Sequence, residues 1–180
     1  MLSCMRGKHL RFTLVFCSVL ALGNLPAQQA AAPPAAPEND SLLLITKTLQ
    51  APLRFTATEL KAMPHTTVTI HNSHTNADET YSGVQLADLL AKVGAPLGGD
   101  LRGKALANYV VATGSDGYKA VLALAEVDPS FHPGEVLVAD TMNGKPLDAH
   151  SGPFKLVVTE DKRPARSVRN LVSIELEAVP

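Results

Sequence analysis

The 180-residue chain has no tryptophan, and aromatic residues make up only 4% of it. Its interior is therefore expected to be aliphatic, built from Leu, Val, Ile and Ala. Cysteine occurs only as Cys4 and Cys17, inside a stretch that reads as a leader. The remainder then has no thiol, which excludes a disulfide, a thiolate nucleophile and Cys-ligated zinc, haem or iron–sulfur sites. Neither sign of charge prevails: 16 basic and 17 acidic residues give a net charge of −1. No global field favours nucleic acid, and the one basic cluster lacks neighbouring exposed aromatics. No Gly-x-Ser-x-Gly elbow, P-loop or dinucleotide fingerprint occurs. The longest apolar segment, residues 12–22, is too short to span a bilayer comfortably.

That segment follows Arg6, Lys8 and Arg11 and precedes Leu25-Pro26-Ala27, which has a small residue at its end. Residues 1–27 therefore read as a secretory signal peptide. Phe16 before Cys17 is unlike the small residue of a lipoprotein site, so no lipid anchor is expected. The protein is expected in the periplasm or secreted, with no stable membrane anchor after leader cleavage. Residues 28–40, QQAAAPPAAPEND, read as a disordered Ala/Pro-rich tether. The domain proper is read as residues 41–180.

Within it, residues 42–48 read as a strand. Thr56-x-x-Glu59 has capping-box chemistry ahead of a short helix at 57–63, closed by Pro64. Residues 65–71 alternate, with Val68 and Ile70 on one face, as in a half-buried strand. Residues 72–80 are polar and read as a loop. Val84, Leu86, Leu89 and Leu90 give residues 84–92 an apolar helical face, stopped by Gly94. Residues 109–113 and 118–124 read as strands joined by a Gly-Ser-Asp-Gly turn. One helical turn at 125–128 and a strand at 135–139 follow. Asn143-Gly144 is a hairpin signal, residues 154–159 read as a buried apolar strand, and residues 171–176 as a last strand with Val172 and Ile174 on one face. Short strands with a few short helices indicate an α+β domain with a mixed or antiparallel sheet core.

Lys162, Arg163, Arg166 and Arg169 fall within eight residues and suit an anion such as phosphate, or else form a solvated loop pairing with Glu160 and Asp161. His65, His71 and His74 lie near Asp78 and Glu79, but strand geometry puts His65 and His71 roughly 20 Å apart. No metal site is assigned to them. Ser115-Asp116 and Asp140-Thr141 are read as turn chemistry.

Several motifs together resemble the molybdopterin-binding domain of sulfite oxidase-like oxidoreductases. They are Gly83-Val84-x-Leu86-x-Asp88-Leu89-Leu90, Ser115-Asp116-Gly117-Tyr118, Met142-Asn143-Gly144-Lys145-Pro146-Leu147, His150 with Gly152-Pro153, and Ala165-Arg166-Ser167-Val168. The resemblance covers roughly residues 55–176. It implies the sulfite oxidase-like molybdopterin-binding fold, with molybdopterin as cofactor and oxygen-atom or electron transfer as the reaction class. It also implies that Arg166 lies near the cofactor phosphate and that His150 donates to pterin or phosphate. In enzymes of this family a cysteine thiolate binds the molybdenum. Counting back from Gly83 puts that position at or near His71, so His71 faces the cofactor if the correspondence holds. Imidazole does not substitute for a soft thiolate, which argues against sulfite oxidase activity. Two functions are therefore carried forward: an exported molybdopterin-binding oxidoreductase domain working with a redox partner, or a cofactor-free binding module or accessory subunit of the cell envelope.

Overall fold

A computed structural model of the chain describes residues 41–46, 52–72 and 75–179. The leader and tether read at residues 1–40, the end of the first predicted strand and His74 lie outside the described residues. The elements run β1 (Ser41–Thr46), β2 (Leu53–Thr56), α1 (Ala57–Lys61), β3 (Thr66–Asn72), β4 (Ala77–Gln85), α2 (Leu86–Lys92), β5 (Tyr109–Gly114), β6 (Lys119–Ala123), α3 (Leu124–Val127), β7 (Val136–Met142), β8 (Lys145–Pro146), β9 (Lys155–Val158) and β10 (Leu171–Glu177). The fold is α+β, with two five-stranded sheets.

The first sheet has the order β2-β1-β10-β5-β6. β1 and β10 run parallel and the other pairs are antiparallel, so the sheet is mixed. Burial alternates strictly along β1, β5 and β6, so one face alone is apolar. The second sheet has the order β3-β4-β7-β8, with β9 also paired to β7. The main core joins the apolar face of the first sheet (Leu42, Leu44, Val110, Ala112, Ile174) to Val84, Val138, Leu156 and Val158 of the second and to Leu86, Leu89 and Leu90 of α2. A smaller cluster of Tyr81, Leu137, Ala139 and Val157 lies apart from it, with Val68 and Ile70 packed against it.

Local chemistry explains several boundaries. Thr56 Oγ1 accepts from the Glu59 N–H at 3.2 Å while Glu59 Oε2 accepts from the Thr56 N–H at 2.8 Å, the reciprocal cap expected of the sequence. Gly94, at φ +74°, ends α2. Asn143 (φ 51°) and Gly144 (φ 74°) take the left-handed conformations of a type I′ turn. Asn143 also ties that turn to β4: its N–H donates to Thr80 O at 2.7 Å and its Oδ1 accepts from Thr80 N at 2.9 Å.

Four expectations change. Asp140 and Thr141 belong to no turn: both lie in β7, where Thr141 pairs with Ser82 and Pro146. Asn72 and residues 77–80 are strand rather than loop: β3 and β4 form a hairpin, with Asn72 opposite Ala77 and His71 opposite Asp78. The residues are polar because their side chains pair across strands, as in Asn72 with Glu79 at 2.7 Å. α2 begins at Leu86 rather than Val84, because Gly83 and Val84 pair with Ala139 and Val138 of β7. A Cβ on Gly83 would stand 2.2 Å from Val138 O, so this crossing requires glycine. In β10 a register shift between Leu171 and Ser173 breaks the alternation. Ile174 enters the core and Val172 does not.

Candidate functional site

The outer face of the second sheet carries the unusual chemistry. β9 alternates, so Leu156 and Val158 enter the main core while Lys155 shares the opposite face with Val157. Across β7, Lys155 pairs with Ala139 and Val157 with Leu137, both facing the smaller cluster in which Tyr81 lies. The Lys155 Nζ donates to Tyr81 Oη at 2.5 Å and lies 4.3 Å from the centre of its ring. Tyr81 Oη in turn donates to Glu79 Oε2 at 2.7 Å, and Asn72 Nδ2 donates to Glu79 Oε1 at 2.7 Å. Burial depresses the Lys155 pKa; Glu79 opposes the shift and Arg169 adds to it. Burial and the neighbouring Glu79 carboxylate push the Tyr81 phenol upward, so it stays a neutral donor.

Two cavities meet at Lys155. One, of about 350 Å³, is lined by Asp116, Tyr118, Lys155, Pro164, Ser167 and Arg169. The turn between β5 and β6 positions its rim: Asp116 Oδ1 accepts from the Tyr118 N–H at 2.9 Å, and Tyr118 Oη donates to Ala165 O at 2.6 Å. The other, of about 340 Å³, shares Lys155 and Pro164 and adds His71, Asn72, Glu79, Glu160 and Asp161. The first groove thus sets two cations, Lys155 and Arg169, against Asp116, and the second sets three carboxylates against Lys155 and Lys162.

The residues singled out in the sequence fall differently around these cavities. Arg166 forms a bidentate pair with Asp161 (Nε–Oδ2 3.0 Å, Nη2–Oδ1 2.6 Å) and reaches Glu126 at 2.9 Å. These carboxylates hold its guanidinium well above the usual range. The contacts tie the loop after β9 to α3. His150 accepts a hydrogen bond from Arg169, which lines the cationic groove. His71 is exposed, lies 2.8 Å from Asp78 and lines the acidic cavity. Lys162 lines that cavity too, whereas Arg163 is solvent-exposed. Arg169 and Lys155 therefore line one groove, with His150 touching Arg169, while His71 borders the other and Arg166 is held by Asp161 and Glu126.

Sequence reasoning passed over Lys155, Tyr81 and the role of Glu79. Lys155 sits inside an apolar strand, Tyr81 falls between the expected loop and the expected helix, and Glu79 falls in the expected loop. One signal was present: Lys155 and Val157 share a parity in a strand otherwise apolar on both faces. Elsewhere, His65 Nε2 meets Asp140 Oδ2 at 3.1 Å while His65 Nδ1 meets Met63 O at 2.8 Å. Among the described residues, no group of three or more His, Cys, Asp or Glu could hold a metal ion.

The sequence profile of the "Oxidoreductase molybdopterin binding domain" family matches residues 30–180. No curated protein sequence matches the chain. Among solved structures, the sulfane dehydrogenase SoxCD from Paracoccus pantotrophus aligns with a TM-score of 0.59 at 21% sequence identity, covering 81% of this chain and 40% of that one. The likeness shows a shared fold, and this chain spans well under half the length of that relative. With most of its length matched by the family profile and its two-sheet architecture in agreement, the chain belongs to the oxidoreductase molybdopterin-binding domain family.

Proposed function

We propose that the chain is an exported member of this family that grips the phosphate end of a molybdopterin-type ligand through Lys155 and Arg169, with His150 orienting Arg169. One observation carries this reading: two cations from separate segments line one groove, and among the described residues neither is paired with a carboxylate. An ammonium and a planar guanidinium facing one concavity suit a phosphate monoester. Arg166, already bound to Asp161 and Glu126, is assigned to holding the loop rather than the ligand. The leader read at residues 1–27 supports export, and a redox or envelope protein is the partner this location suggests.

The donor set fits the family's cofactor unevenly. The cofactor supplies oxygen-atom or electron transfer at molybdenum where it is bound. Here the phosphate end has its cations, but no cysteine occurs after Cys17, so the described residues offer no thiolate to ligate the metal. His71, the counted counterpart, has its Nδ1 engaged by Asp78. No sulfite oxidase step is assigned to this chain.

The test is to purify the full chain from a host that makes the cofactor, oxidise a denatured sample and measure pterin fluorescence in the supernatant. Near-stoichiometric pterin, lost in Arg169→Gln at unchanged Tm, is expected. No pterin in the wild type would favour a second reading, a cofactor-free binding module. That reading draws on Gly83 and Asn143, two motif residues for which the fold alone supplies a reason.

A further inference from the structure

We infer that the ligand is a phosphorylated 2-amino heterocycle held without molybdenum, its phosphate at Lys155 and Arg169 and its N–H edge at the carboxylates of the adjoining cavity. This rests on the phosphate grip proposed above and extends it to the ligand's other end. Lys155 and Pro164 line both cavities, so a ligand anchored in the first groove has the second directly beside it. There Glu79 has one donor on each oxygen, from Asn72 and from Tyr81, which leaves acceptor capacity on both. Glu160 has no hydrogen-bond or ion-pair partner among the described residues. Asp161 is taken by Arg166. Ile70 and Pro164 supply apolar surface to a flat ring in the same cavity.

Two carboxylates with spare acceptor sites beside a cationic groove select for polarity. A molybdenum centre would find no soft ligand there. A ring presenting an exocyclic amine next to a ring N–H offers two parallel donors, which match the two oxygens of one carboxylate as a guanidinium fork does. The Arg169 guanidinium stands only in the first groove and the free Glu160 carboxylate only in the second, which fixes the ligand's orientation. Pterin and guanine share this donor edge, and either, carrying a phosphate, meets the description.

The experiment is calorimetric titration of the full chain with four probes: inorganic phosphate, inosine monophosphate, guanosine monophosphate and a metal-free phosphorylated pterin. Inosine and guanosine monophosphates differ only in the 2-amino group. Guanosine monophosphate should bind roughly tenfold tighter than inosine monophosphate, the size of a lost hydrogen bond to a charged acceptor. Glu160→Gln should erase that preference while leaving phosphate affinity unchanged, and Arg169→Gln should weaken every probe. The tighter of the pterin and guanine probes identifies the source. Equal affinity for the two nucleotides, or stoichiometric molybdenum in the purified chain, overturns this inference and leaves the phosphate grip standing. Failure of all four probes overturns both.

Discussion

The two sheets are built from similar strands yet differ in how many faces they bury. The first sheet alternates cleanly and turns one apolar face to the main core. The second sends Val84, Val138, Leu156 and Val158 to that core and, from the opposite face, Tyr81, Leu137, Ala139 and Val157 to a smaller cluster. On that second face the apolar cover is incomplete, and Lys155, Glu79 and Asn72 complete it with hydrogen-bonded polar groups. A sheet wrapped on both sides can therefore give one face to stability and the other to chemistry. The comparison predicts that equivalent truncations on the two faces differ in cost.

β9 allows the sharpest version, since Leu156 and Val157 are adjacent, both fully buried, and point to opposite clusters. Leu156→Ala should cost about 4 kcal/mol in urea unfolding, because it opens a cavity in the main core. Val157→Ala should cost about 2 kcal/mol, from fewer methyl groups and a site better able to collapse. Equal losses would show that the second cluster is as integral as the first. Next in size is Gly83→Ala, which forces a Cβ against Val138 O and Ala139 Cα at the β4–β7 crossing. About 3 kcal/mol of stability should be lost, measured the same way, since backbone atoms rather than a flexible side chain must yield.

Much of the first sheet and the main core was legible in the sequence, because period-2 alternation and turn chemistry are local signals. The Asn143-Gly144 turn, the Thr56–Glu59 cap and the β5–β6 hairpin formed as their residues dictate. The β3–β4 hairpin was not legible, because its polar residues are stabilised by partners on the neighbouring strand. The site was harder still. Arg166 and Arg169 look alike in the chain, but the fold gives one to Asp161 and Glu126 and the other to a groove. Only tertiary placement of Glu126, on α3, separates them. Lys155 was concealed by its apolar neighbours, whose two-sided burial depends on a strand pairing that no local pattern announces.

Lys155→Met tests whether the second face is spent on binding or on stability. Methionine keeps most of the volume, and Tyr81 retains its hydrogen bond to Glu79, so stability should change by no more than about 1 kcal/mol. Phosphate-probe affinity should fall at least as far as in Arg169→Gln. A stability loss matching Val157→Ala, with affinity intact, would make the polar face structural and break the contrast between the sheets.

The smallest expected effect is a pH dependence at the edge of the second sheet. Burial alone would lower the His65 pKa, but its hydrogen bonds to Met63 O and Asp140 outweigh that and leave it raised above 6.5. A raised folded-state value means that the folded protein holds the proton more tightly than the unfolded chain does. The resulting stability is fully present below about pH 6.5 and is lost as pH rises through the higher folded-state value. Thermal melts between pH 5 and pH 8, as a test range of about three units, should show this step. His65→Gln should flatten it, as should Asp140→Asn. A step that survives both changes would have to come from another histidine, and the tie between the start of β3 and Asp140 of β7 would then carry no charge-dependent stability.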